Sequence, residues 1–268
     1  MSKLDKRHLS KIEFRRLQHK KNLEKKNVAI TNPVNILCLK HGDKYGANYV
    51  NNLYHGVSKN LSIHHKFYCL TDNTDGLNPN IHSIPLPQID VSGWWYKPYI
   101  FSKNIPLQGT ILYIDLDVVI TGPLDKIFSY YPLSFCIIRD FNRVLRPTYN
   151  KFNSSVMKFA HGSLDNLWQK FLYHYKSLIK KLPGDQDFIF QEQKNNAVFF
   201  PNEWIMSWKW EIRKNRKFAP GGLRGSRKLA TIENVRPPED CCIAVFHGDP
   251  NPHLCDDPYI KETWIYKE

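Results

Sequence analysis

The sequence predicts an α/β fold, a mixed and mostly parallel sheet flanked by helices. Short apolar runs of strand length alternate with segments whose apolar residues recur at helical spacing. One run, Ile111-Leu112-Tyr113-Ile114, leads directly into Asp115-Leu116-Asp117. Ligands of such sheets bind beyond the C-terminal strand ends. A chain of 268 residues can bury a core as one large or two small domains.

The first strand is expected over Val34–Leu39. A polar loop, Lys40 to Lys44, follows, and Tyr49, Val50, Leu53, Tyr54 and Val57 then recur at helical spacing. Phe67–Leu70 reads as a second strand closed by Thr71-Asp72. Residues 73–90, rich in Asn, Pro and Asp, read as loop, and residues 94–104 as helix with Pro98 early. Further strands are expected at Phe135–Ile138, Ser155–Phe159, Ala197–Phe200 and Ile243–Phe246. The clearest helix is 164–182, where Leu164, Leu167, Trp168, Phe171, Leu172 and Tyr175 share one wide face. Residues 202–240 are long, basic and rich in Trp, Gly and Pro.

Charge divides the chain into a basic extension over residues 1–30 and one domain over 31–268. Residues 1–27 hold ten Lys or Arg against three acids, a surplus of seven out of the chain's net +13. This segment reads as a solvated tail, or as one that touches an anionic membrane surface or an acidic partner. No motif points to nucleic acid, so none is expected. The N-terminus lacks the apolar stretch of a secretory signal, and no apolar run approaches a membrane span. The six cysteines form no Cys-x-x-Cys pair and read as core thiols of a reducing compartment. The expected location is cytoplasmic, with peripheral membrane contact open to the basic tail.

Asp115 and Asp117 carry the chemistry. Side chains alternate along a strand, so the two carboxylates are expected on one face. They repel unless a cation sits between them, and carboxylate oxygens suit Mg²⁺ or Mn²⁺. Such an ion commonly holds a phosphate as well. Asp-x-Asp is also a common solvated strand end, so the pair alone leaves both readings open.

The chain resembles GT-A glycosyltransferases, family 8 in particular, through segments that occur in the family's order. Tyr45-Gly46-Ala47 resembles the first nucleotide-binding loop, and Trp95-Tyr96-Lys97-Pro98-Tyr99 the helix with a donor-contacting Lys. Tyr113 to Val119 resembles the metal strand, and Phe152-Asn153-Ser154-Ser155-Val156 the family's Phe-Asn-Ser-Gly-Val. Gly184-Asp185-Gln186 resembles its Gly-Asp-Gln, and Phe246-His247-Gly248-Asp249-Pro250-Asn251-Pro252 its His-x-x-Gly-x-x-Lys-Pro segment. Two departures stand out: Ser155 replaces a Gly, and Asn251 replaces the basic residue. The basic loop at 213–228 is one possible source of the missing cation.

The resemblance implies a UDP-linked sugar donor, a saccharide or other hydroxyl acceptor, Mn²⁺ (or Mg²⁺), and transfer of a hexose with retention. It implies metal ligation by Asp115, Asp117 and His247, with His253 or Asp249 as substitutes. Tyr45 would stack on uracil, Asp72 would contact base or ribose, and Lys97, Asn153, Ser154 and Gly248 would line the donor. Asp185 and Gln186 would lie nearest the anomeric carbon, Asp185 kept ionised by a helix N-terminus. Gly184-Asp185 also fits an ordinary helix start. Trp204, Trp208 and Trp210 could offer faces to sugars or simply cover the core. Two rivals remain at this stage: a metal-dependent nucleotidyltransferase, and a non-catalytic relative that binds sugar or polyanion.

Overall fold

The computed structural model describes residues 33–213 and 235–265. The basic extension and most of the basic loop at 213–228 lie outside them. The described residues form ten strands: β1 Val34–Lys40, β2 His65–Thr71, β3 His82–Pro85, β4 Thr110–Ile114, β5 Val118–Ile120, β6 Cys136–Arg139, β7 Phe152–Ala160, β8 Val198–Phe199, β9 Ile205–Ser207 and β10 Ile243–Val245. The α-helices are α1 Ala47–Asn60, α2 Asp125–Ser129, α3 Asp165–Lys181, α4 Asp185–Gln193 and α5 Pro258–Thr263. The large sheet has the order β3-β2-β1-β4-β7-β6-β8, and a small sheet has β5-β10-β9.

Strands β3, β2, β1 and β4 run parallel. Strand β7 runs antiparallel to both β4 and β6. The C-terminal ends of β1, β2 and β4 therefore meet the start of β7 at one edge. That edge is where the fold gathers its polar side chains.

Each sheet face has its own core. Leu112 and Ile114 of β4 face the side packed by Tyr49, Val50, Leu53 and Val57 of α1. Ile111 and Tyr113 face Trp95, Phe101, Leu167 and Phe171. This alternation suits a central strand covered on both sides. Each fully buried Val or Leu stabilises the fold by about 1.5–3 kcal/mol relative to exposure. All six cysteines are buried free thiols. No helix among the described residues is long and apolar enough to cross a membrane.

Three expectations need correcting. Residues 73–90 contain the edge strand β3, whose only buried residue is Ile84 and which ends in Pro85. An edge position tolerates proline because it leaves one side of the ladder unpaired. Residues 202–240 contain β9 and a π-helical turn at Trp208–Ile212, too short to read from periodicity. The third concerns the acids. Strand β4 ends at Ile114, and Asp115 and Asp117 lie in the bend that carries the chain into β5 of the small sheet. Strand alternation therefore does not set their relative direction.

The register of β4 against β1 depends on Gly109. Thr110 N donates to Pro33 O over 2.9 Å, and Gly109 takes φ +86°. A Cβ there would run into the Pro33 carbonyl oxygen. Gly42 also has positive φ, +57°, but faces open space. We predict that Gly109→Ala costs about 2–4 kcal/mol, combining backbone strain with a steric clash. Gly42→Ala should cost only the strain, about 1–2 kcal/mol. Denaturant titration of both variants checks this, and equal losses would refute the register argument.

Candidate active site

The 3₁₀ helix Gly93–Phe101 delivers Lys97 to the polar edge. Its side chain is 6% exposed. The ammonium lies 3.0 Å from Asp115 Oδ1 and 3.3 Å from Asp185 Oδ2. It also donates to Ser154 Oγ at 3.1 Å. Ser154 in turn donates to Asp185 Oδ2 at 2.6 Å, and the Tyr113 hydroxyl donates to Asp115 Oδ1 at 2.7 Å. An ammonium has three donors and no acceptor, so this environment uses all of them. Burial alone would lower the Lys97 pKa, but Asp115 and Asp185 outweigh it and hold the group charged.

These residues come from four elements for identifiable reasons. Tyr113 precedes Asp115 by two residues and sits on the α3-facing side of β4. Ser154 lies near the start of β7, beside Asp115, because Asp115 N donates to Ser155 O over 2.8 Å. Asp185 is the first residue of α4, and Gly184 is its N-cap. Burial pushes the Asp185 carboxyl above its ordinary range, while Lys97 and Ser154 pull it back. Beside the expected hold by the helix N-terminus, Lys97 and Ser154 supply a counterweight to burial.

A second group surrounds Asp117. The Tyr45 hydroxyl donates to its Oδ2 at 3.4 Å. Tyr45 precedes α1 and packs on Tyr49 with ring centroids 4.6 Å apart. Burial, and then the charge of Asp115, push the Asp117 carboxyl up to about 7. Strand β10 runs antiparallel to β5, and Phe246 N donates to Asp117 O over 2.8 Å. His247 therefore stands one residue past the segment paired with Asp117.

His247 is held from several sides. Its ring stacks on Phe141 at 5.1 Å and meets Trp210 edge-on at 4.4 Å. Its Nε2 shares a 2.7 Å hydrogen bond with Ser207 Oγ, which also accepts from Trp210 N. Glu211 accepts from Ser207 N and, with both oxygens, from Arg143 at 2.9 Å. Burial, then Lys209 and Arg143, lower the His247 pKa to about 3, so the ring is neutral at physiological pH. Lys209 donates to Asp249 O at 2.8 Å and reaches to 3.6 Å from the point a Gly248 Cβ would occupy.

The remaining expected residues are spread around this edge. Asp72 is exposed and accepts from Gly42 N at 3.0 Å, tying two loops together. Asn153 accepts from Ser155 N at 3.0 Å, and Gln186 is half-buried beside Asp185. Gly248 is exposed with φ +73°. His253 bonds to the Tyr49 hydroxyl. Trp208 is fully buried with its Nε1 on Asp257, Trp204 packs on Tyr130, and Trp210 covers His247. These tryptophans cover the core. Arg213 likewise turns inward, with its Nε 2.9 Å from Asp257.

Sequence reasoning did not single out Tyr113, Ser207, Glu211, Arg143 or Lys209. Two-residue spacing from Asp115 was a usable signal for Tyr113. Ser207 ends the three-residue strand β9, and Arg143, Lys209 and Glu211 lie in single helical turns, all too short to give a periodic signal.

Among the described residues, no three His, Cys, Asp or Glu side chains gather tightly enough to hold a metal ion. The donor chemistry still fits a divalent cation. The charge of Asp115 raises the cost of ionising Asp117, and His247 is a neutral imidazole.

A pH dependence follows from Asp117. Its folded pKa of about 7 exceeds the unfolded value of about 3.9. The folded state therefore binds more protons between these values, and stability falls as pH rises through that window. We predict that Asp117→Asn melts a few degrees above the parent at about pH 8 in EDTA, and no higher at about pH 4. Thermal melts at both pH values check this; the same gain at each would contradict the assignment.

No family model matches the chain, and no curated protein does. Solved structures do. An active-site mutant of LgtC gives a TM-score of 0.59 at 14% identity, covering 85% of this chain and 94% of that one. The galactosyltransferase LgtC in complex with donor and acceptor sugar analogs gives 0.59 at 13%, covering 86% and 95%. The glycosyltransferase GlyE of Streptococcus pneumoniae TIGR4 gives 0.58 at 13%, covering 87% of this chain and 60% of that one. At such identities the likeness speaks for fold. The chain has the GT-A glycosyltransferase fold.

Proposed function

We propose that this chain is a metal-dependent glycosyltransferase that moves a hexose from a UDP-linked donor to a hydroxyl acceptor with retention. One observation carries the reading. The Lys97–Asp115–Asp185–Ser154 cluster lies at the strand-end edge, directly beside the Asp115/Asp117 pair. The GT-A fold supports sugar transfer as the reaction class.

Each residue has a role on this reading. Asp115 and Asp117 would hold Mn²⁺ or Mg²⁺, with His247 as a neutral donor that would have to move in to complete the set, and the ion would neutralise the diphosphate leaving group. Tyr45 offers its ring to the base, and Asp72 lies on the neighbouring loop to meet base or ribose. Lys209 supplies the cation absent at position 251, because its ammonium stands at Gly248 near Asp117. Asn153, Gln186 and Asp185 face sugar hydroxyls. Lys97 fixes Asp185 and balances its charge, so the carboxylate stays put while positive charge develops at the anomeric carbon. These contacts strengthen in the transition state, and their loss should reduce turnover more than affinity.

The test is UDP release from a panel of UDP-sugars, with Mn²⁺ or EDTA. Release should require the ion, and Asp117→Ala should abolish metal-dependent UDP binding in a folded protein. Asp185→Asn should lower single-turnover transfer by roughly a hundredfold, with calorimetric UDP affinity hardly changed. Release of diphosphate instead of UDP would favour nucleotidyl transfer. Near-normal turnover would reduce Asp185 to a helix-start residue.

A further inference from the structure

The tryptophans at 204, 208 and 210 are occupied by the core and by His247. A different tryptophan is open at this edge. Trp94 is 52% exposed, the most exposed tryptophan among the large exposed hydrophobic side chains of the described residues. It lies in the 3₁₀ helix Gly93–Phe101, three residues before Lys97. A 3₁₀ helix has three residues per turn, so side chains at i and i+3 eclipse. Trp94 therefore sits one turn from Lys97 on the same side of that helix.

An independent contact points to the same place. A Cβ on Gly184 would lie 3.5 Å from Trp94 Nε1 and 3.9 Å from two further ring atoms. The indole thus rests over the residue immediately before Asp185. The ring's support is rigid: neighbouring Trp95 is buried and stacks on Phe171 at 5.9 Å with a 10° interplanar angle. Lys97 pins the same helix from the other side through Asp115 and Asp185.

A chain of contacts links the ring to the Asp117 end of the site. Tyr45 touches Asp117, Asp117 feels Asp115, Lys97 joins Asp115 to Asp185, and Gly184 joins Asp185 to Trp94. On the proposed reading the nucleotide occupies the Tyr45 and Asp117 end. Trp94 packs on Gly184, immediately next to Asp185, the group assigned to the anomeric carbon. A half-exposed indole on a fixed backbone suits the apolar C–H face of a pyranose and retains an N–H for a hydroxyl.

We propose that Trp94 is the stacking platform for a saccharide acceptor. The proposal rests on the glycosyltransferase reading and narrows the acceptor from any hydroxyl compound to a sugar. The test is an NMR titration of protein labelled with ¹⁵N at tryptophan indoles. The Trp94 signal is assigned by its loss in Trp94→Phe. Probes are the methyl glycosides of glucose and galactose, cellobiose, maltose, and UDP alone.

At least one saccharide should move the Trp94 signal to saturation, while UDP alone moves it far less. In the transfer assay with that saccharide, Trp94→Ala should raise the acceptor KM about tenfold, with a much smaller change in donor KM. A signal unmoved by every saccharide overturns the platform, whether or not UDP release is seen. A larger response to UDP than to sugars overturns it too, since the ring would then serve the donor. Saturable sugar shifts without any UDP release would instead leave the platform standing and sink the transferase reading.

Discussion

The Lys97 ammonium lies between Asp115 and Asp185, out of water, and the arrangement of the site depends on it. Removing the amine would leave the Asp115 and Asp185 carboxylates without the cation that both contact. Breaking a buried pair of this kind costs about 3–5 kcal/mol, because the remaining charge has no solvent. The same contacts tie a 3₁₀ helix, the end of β4, the start of β7 and the start of α4 to one point. The charges also do not cancel: two acids meet one base, and Asp117 adds a third acid nearby. A local excess of acidic groups is what a divalent cation or a developing positive centre would relieve.

The small sheet supplies the other half. Strand β4 could have continued past Ile114, but the bend at Asp115–Asp117 moves the chain into β5. Pairing β5 with β10 then brings His247, 130 residues further on, alongside Asp117. Strand β9 pairs with β10 and sets Ser207 against the His247 ring. Arg143 and Glu211 brace this arrangement from below, and Arg213 with Asp257 anchors the C-terminal segment. Long-range pairing of this type makes the site a product of the whole fold.

Much of the sheet was legible because its central strands β1 and β4 are almost wholly buried. Phe67–Leu70 and Ile111–Ile114 are unbroken apolar runs and Val34–Leu39 is broken only by Asn35, and parallel strands covered on both faces read that way. Strand β3 was hidden because an edge strand needs one buried side chain, and Ile84 is flanked by His, Ser and Pro. Strand β9 was hidden by its three-residue length. At the site, Lys97, Asp115, Ser154 and Asp185 were named from the resemblance, and the structure joins them in one hydrogen-bonded group. The brace around His247 was not legible, since Ser207, Glu211 and Arg143 acquire meaning only through tertiary contacts. The tryptophans between 204 and 210 stayed open between two readings, because apolar surface looks alike in sequence whether it meets a sugar or the core.

The most direct measurement is a crystal structure of the protein grown with UDP and Mn²⁺, read through the anomalous signal of the ion. The account predicts one Mn²⁺ bound by Asp115 and Asp117, with the UDP diphosphate on it and uracil at Tyr45. A nucleotide bound away from this edge, or a bound UDP with the ion on neither aspartate, would contradict it.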